Sequence, residues 1–193
     1  LAETRALKSP ALAGFIKVAC EAVLSQTPPA ALEGAAIAAA ESGCAVEIHT
    51  ERGQDAENIV AFFERHGVPL QQVVLCHMDK RPDVGLHREL ARAGVGLEYD
   101  TFYRPKYDPD QHVWPLIEAM VEAGFVGSLC LATDMAETAL WKHLGGGAGM
   151  PGFLTIILPR LYALGFQPSE IAQLMGKNIL RRLSRRLPQS SIS

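Results

Sequence analysis

The 193-residue chain has little of what marks a secreted, membrane-embedded or nucleic-acid-binding protein. No uninterrupted apolar run approaches the roughly 20 residues that cross a bilayer, and the N-terminal stretch lacks the basic and apolar parts of a signal peptide. Cysteine is scarce: Cys20, Cys44, Cys76 and Cys130 form no CxxC pair. That excludes a zinc ribbon, and the four read as buried free thiols of a reducing compartment, so the expected location is cytoplasmic. Neither charge sign is in excess, with 18 Lys and Arg against 21 Asp and Glu and a net charge of −3. There is no basic surplus to neutralise phosphates, so no nucleic-acid partner is expected. No GxxxxGK[ST] is present, so Gly145, Gly146, Gly147 and Gly149 read as a flexible lid, not as a phosphate cradle. An ordinary globular composition remains, 48% apolar and 20% charged, and a small-molecule partner suits it.

What is present is a repeating grammar. Short apolar runs at 14–19, 45–49, 73–77, 94–99 and 128–133 read as buried parallel strands. Helices are expected between them at 28–42, 54–66, 82–93 and 110–123, stopped by Gly43, Gly67, Gly94 and Gly124. Pro28 and Pro29 open the first. This alternation predicts an α/β architecture of βα units, not a helical bundle. A further helix is expected at 153–164, bent or broken by Pro159, and another at 168–183. The arginines around it, Arg181, Arg182, Arg185 and Arg186, read as solvated surface.

Four potential metal ligands each lie at the C-terminal end of one of these runs: Lys17 in GFIKVAC, His49 in AVEIHT, His77 in VVLCHMD and Asp134 in LCLATD. Their separations are 32, 28 and 57 residues. One unit of a (β/α) barrel takes about 30 residues, so the last gap fits two units. Parallel strands at that period bring their ends to one rim, where ligands bind. Taken singly, each has a plainer explanation: a hydrogen-bonded rim histidine, or an aspartate capping the next helix. The remaining histidines, His66, His87, His112 and His143, fall on helix ends or loops with no paired spacing.

These residues, with LEYDTF, Tyr107-Asp108-Pro109-Asp110 and Gly176-Lys177-Asn178, resemble the phosphotriesterase-like branch of the amidohydrolase superfamily over essentially the whole chain. The resemblance implies a (β/α)8 TIM barrel and a binuclear metal hydrolase. In such a site Lys17, carbamylated by carbon dioxide, bridges two divalent ions; zinc suits the donors best, and manganese or cobalt also fit. It further implies that His49 and His77 hold the more exposed ion. Asp134 would hold the more buried one and take the proton of the attacking hydroxide.

The family draws two more histidines from an HxH on its first strand, and no HxH occurs in this sequence. The first readable strand already carries the lysine that the family places on strand four. Residues 1–193 therefore read as strands four to eight of one barrel domain, the first three units being absent and supplied by the same gene product or by a second chain.

The stretch 98–107 is aromatic and basic. Tyr99, Asp100, Tyr103, Arg104 and Lys106 are candidates for substrate contact, joined by Trp141, Lys142 and His143 from the loop that covers the pocket in the family. Arg and Lys beside a metal rim suit an anionic substrate. A lactone or carboxylic ester is the favoured substrate and a phosphotriester the alternative. A barrel-derived binding protein without hydrolysis is the reading from another class. Asp79 reads as a carboxylate supporting His77 or as a helix cap.

Overall fold

The computed structural model describes residues 13–184. Five parallel strands form one sheet in sequential order: β1 Phe15–Ala19, β2 Ala45–His49, β3 Val73–Cys76, β4 Gly96–Tyr99 and β5 Leu129–Leu131. The connections carry α1 Pro29–Ser42, α2 Ala56–Arg65, α3 Val84–Ala93 and α4 Val113–Glu122. After β5 come α5 Leu158–Ala163, α6 Pro168–Ala172 and α7 Asn178–Leu183. The architecture is α/β, a partial TIM barrel. Strands are shorter than the apolar runs because His77 leaves the ladder with φ 64° and Asp134 turns with φ 39°.

Strand alternation divides the side chains between two surroundings. One face sends Val18, Val46, Ile48, Leu75, Leu97, Tyr99 and Leu129 into the helices, against Ala36, Ala39, Ile59, Phe63, Leu90, Ile117 and Met120. Burying a side chain of this size contributes about 1.5–3 kcal/mol, so this layer carries the fold. The other face holds Lys17, Glu47, Cys76, Glu98 and Cys130. Apolar side chains do not dominate it.

Helix starts and stops follow the expected chemistry. Gly43 and Gly94 take the left-handed C-cap conformation, φ 66° and 105°. Asp83 caps α3, its side chain accepting from the Leu86 N–H at 3.0 Å. Asp79 is therefore not the cap. Pro159 lies in the first turn of α5 and does not break it; the wider π turn Phe153–Ile157 takes up the distortion just upstream. The helix expected over 168–183 is interrupted in the same way by the π turn Gln173–Lys177.

Two of the arginines expected as solvated surface are bonded. Arg182 donates to the carbonyls of Gln71 and Gly94 at 3.1 and 2.9 Å, and Arg181 donates to Asn178 Oδ1 at 2.7 Å. Arg185 and Arg186 lie outside the described residues. Asn178 donates in turn to the carbonyls of Val126 and Leu129, both at 2.7 Å. The C-terminal segment thus clamps the entry points of three strands.

The glycine-rich loop is compact. Gly147 and Gly149 donate to the carbonyls of Ala139 and Leu140, and a side chain at Gly146 would run into the Ala139 carbonyl. Its glycines are there for close backbone approach. No helix among the described residues is long and apolar enough to cross a membrane.

Candidate metal centre

β2 and β3 present two imidazoles side by side. The Thr50 hydroxyl donates to the Cys76 carbonyl at 2.7 Å and ties the ends of these strands together. His49 Nδ1 and His77 Nε2 then face each other at 2.8 Å, their rings edge to face with centroids 4.6 Å apart. Nitrogens at adjacent corners of a tetrahedral zinc site stand about 3.3 Å apart, so a small outward movement would admit an ion. Burial lowers the pKa of both rings, which favours the neutral form that binds metal.

On the other side of His77, Asp100 Oδ2 lies 2.7 Å and Asp134 Oδ2 3.9 Å from Nδ1. His77, Asp100 and Asp134 offer three ligand atoms, all within 4.8 Å of one another. Asp134 is held by Arg104, which forms an ion pair with its Oδ2 and donates to its backbone carbonyl, both at 2.8 Å. The same guanidinium pairs with Glu137 at 2.6 Å. Of the implied ligands, the structure brings His49, His77 and Asp134 to one rim.

Lys17 sits lower, in the middle of β1 and level with Glu47 in the sheet register. Its side chain is half exposed, and Nζ donates to Glu47 Oε2 at 3.2 Å and to Cys76 Sγ at 3.1 Å. Glu47, Cys76 and Glu98 form a second close cluster beneath the rim. Burial pushes the Glu98 carboxyl up to about 8, with Asp100 and Glu47 adding to the shift. Sequence reasoning missed both glutamates. The period of two was the signal: Glu47 precedes His49 by two residues, and Glu98 precedes Asp100 by two.

The expected substrate contacts divide. Tyr99 is a correction: strand alternation turns it away from the rim into the helix layer, fully buried, with its hydroxyl 2.6 Å from His87 Nδ1. His87 likewise lies inside α3 and is buried, not on a helix end or loop. Asp100 is fully buried behind His77. Arg104 is buried and occupied by Asp134 and Glu137, so it positions the Asp134 loop and is not free to grip a ligand. Tyr103 and Lys106 line a cleft of about 380 Å³ between the loops after β4 and β5. Trp141, Lys142 and His143 are exposed on the second of these loops, the Trp141 ring N–H bonded to the Met135 carbonyl.

A neighbouring pocket of about 280 Å³ is lined by Asp79, Lys80, Pro82, Lys106, Tyr107, Asp108 and His112. Lys80 and Lys106 both place their ammonium groups over the Tyr107 ring, 5.4 and 5.2 Å from its centre. Lys80 escaped the sequence reading, although it stands three residues after His77 in a loop at the rim.

The parallel sheet of βα units thus gathers two imidazoles and a carboxylate at one rim. The chain belongs to the phosphotriesterase family, whose model matches residues 6–183. It is similar to the phosphotriesterase homology protein of Escherichia coli, 24% identical over 75% of this chain and 49% of the relative. A phospho-furanose lactonase of Mycoplasmopsis synoviae is 26% identical over 92% of this chain and 52% of its own length. Among solved structures, a lactonase from Listeria monocytogenes superposes with a TM-score of 0.84 at 23% identity, covering 93% of this chain and 56% of that one. The chain spans about half the length of the curated relatives it matches.

Proposed function

We propose that the chain carries the strand-four to strand-eight rim of a divalent-metal-dependent hydrolase, and that the intact protein opens a lactone or carboxylic ester bearing an anionic group. The observation that carries this reading is the pair of imidazoles, His49 Nδ1 facing His77 Nε2 at 2.8 Å, with Asp134 on the Nδ1 side of His77. These three residues would hold the metal, joined by Lys17 once it leaves Glu47 and Cys76 and takes up carbon dioxide as a carbamate. When bound, the ions supply Lewis acidity and make a water acidic enough to attack near neutral pH.

The chain's own residues do the rest. Asp134 accepts the proton that the attacking water releases, and Arg104 fixes that carboxylate by gripping both its Oδ2 and its backbone carbonyl. Lys80 and Lys106 bind the anionic end of the substrate over Tyr107, where two point charges suit a phosphate. The similarity to a phospho-furanose lactonase supports a phosphorylated sugar lactone.

The test pairs metal analysis with a substrate panel on the whole protein. His49→Ala and His77→Ala should each abolish zinc retention and hydrolysis, whereas His66→Ala and His112→Ala should abolish neither. Equal losses from both pairs would defeat the assignment. Lys80→Ala and Lys106→Ala should raise KM for a phosphorylated lactone about tenfold or more, each worth ~1.4 kcal/mol, and leave an uncharged lactone unaffected. Turnover confined to phosphotriesters would move the substrate class, and metal retention without any turnover would leave a binding protein.

A further inference from the structure

Asp100 is fully buried, so it does not reach a substrate from where it stands. Neither oxygen makes a hydrogen bond of good geometry, and the carboxyl group presses against that of Glu98, a costly arrangement for a buried acid and one that needs a reason. Its Oδ2 is 2.7 Å from His77 Nδ1 but too oblique to the ring for a hydrogen bond. The other nitrogen of that ring, Nε2, is the one facing His49. A separation of 2.7 Å matches a charge-assisted N–H···O contact of about 2.7–2.9 Å once the ring turns to aim its N–H at the carboxylate.

Asp100 is itself held in place. Asp79 is buried, and its Oδ2 accepts from the Asp100 N–H at 2.9 Å, the Thr101 N–H at 2.8 Å and the Thr101 hydroxyl at 2.7 Å. Asp79 stands two residues after His77, so the turn that carries the imidazole also grips the end of β4. β4 in return places a carboxylate behind the imidazole. A closed loop of this kind fixes both partners at once.

We infer that Asp100 is a positioning residue for His77: with a metal at Nε2, the ring turns until Nδ1–H donates to Asp100, and Asp79 keeps that carboxylate in place. A carboxylate behind a metal-binding imidazole fixes its tautomer and orientation, and removing one costs about 10- to 100-fold in metal affinity. The inference rests on His49 and His77 being the metal pair, and it replaces the substrate-contact reading of Asp100.

The experiment is cobalt(II) titration of the whole metal-free protein, with the His77 Nδ1–H proton followed by NMR in the zinc-loaded form. Asp100→Asn should raise the cobalt Kd about 10- to 100-fold, and Thr101→Val, which loosens the hold of Asp79, should raise it less. In wild type the Nδ1–H signal should be far downfield and slow to exchange, and Asp100→Asn should move it upfield. An Asp100→Asn Kd within about twofold of wild type would overturn the inference. So would a wild-type Nδ1–H that exchanges freely, a result that needs no variant to fold. If cobalt is lost with His49→Ala but kept with Asp100→Asn, only this inference falls. If wild type binds no cobalt, the metal reading falls with it.

Discussion

His87 shows how one residue can report on the fold independently of the metal site. It is buried in α3 against Tyr99, and burial lowers its pKa to about 4 from an ordinary 6.5. The folded state therefore keeps it neutral while the unfolded chain takes up a proton below pH 6.5. The associated stability is complete above 6.5 and is lost as pH falls towards about 4, by ~3 kcal/mol at most. His87→Gln should remove that dependence, so the gap in melting temperature between wild type and variant should change between pH 7 and pH 4, because only wild type loses this stability. A gap that stays constant across this range would show that His87 is not held neutral. At this scale the sequence was readable where a side chain ends a strand, as at His49. It was not readable where orientation decides: Tyr99 and Asp100 are adjacent, and only the pleat sends one to the helices and the other behind His77.

The βα alternation was the most legible property at the scale of elements, because apolar runs and glycine stops are local signals. β2 and the start and stop of α1 fall within a residue of expectation, as helix and strand chemistry at Pro29, Gly43 and His49 dictates. The final segment was less legible, since the work of Arg182 depends on carbonyls at Gln71 and Gly94, far away in sequence. The approach is close enough that a side chain at Gly96 would meet the guanidinium. Arg182→Ala should lower stability by roughly 1.5–3 kcal/mol, the range for hydrogen bonds to a charged group. In thermal unfolding that is a fall of about 3–12 °C for a chain of this size. Arg182→Lys should recover part of it, and no change in either variant would make the clamp incidental.

Among the described residues the sheet is open. There β1 and β5 each pair on one side only, and the polar inner face meets solvent at Lys17 and at Phe15, which is 43% exposed. Unpaired strand edges and uncovered apolar residues favour self-association. Residues 1–193 expressed alone should therefore aggregate and lack hydrolytic activity. Order and turnover should appear when further barrel strands are supplied, in the same polypeptide or by a second chain. Light scattering with the same substrate panel checks this, and a soluble monomer with the turnover of the longer form would refute it. That five units fall short of an eight-stranded barrel was legible in the count of apolar runs, because closure is a property of strand number and shear, not of any one strand.

The left-handed backbone at His77 and Asp134, φ 64° and 39°, has a consequence for how such a chain changes over generations. A residue with a β-carbon there costs of order 1–3 kcal/mol, a cost glycine would largely avoid. Selection for folding alone would push both positions towards glycine, while selection for metal chemistry pushes towards a ligand. The two pressures oppose each other at the same pair of sites. A duplicate freed from its reaction would have its easiest gain in stability where the older protein kept its chemistry, and the loss of function would then be self-reinforcing.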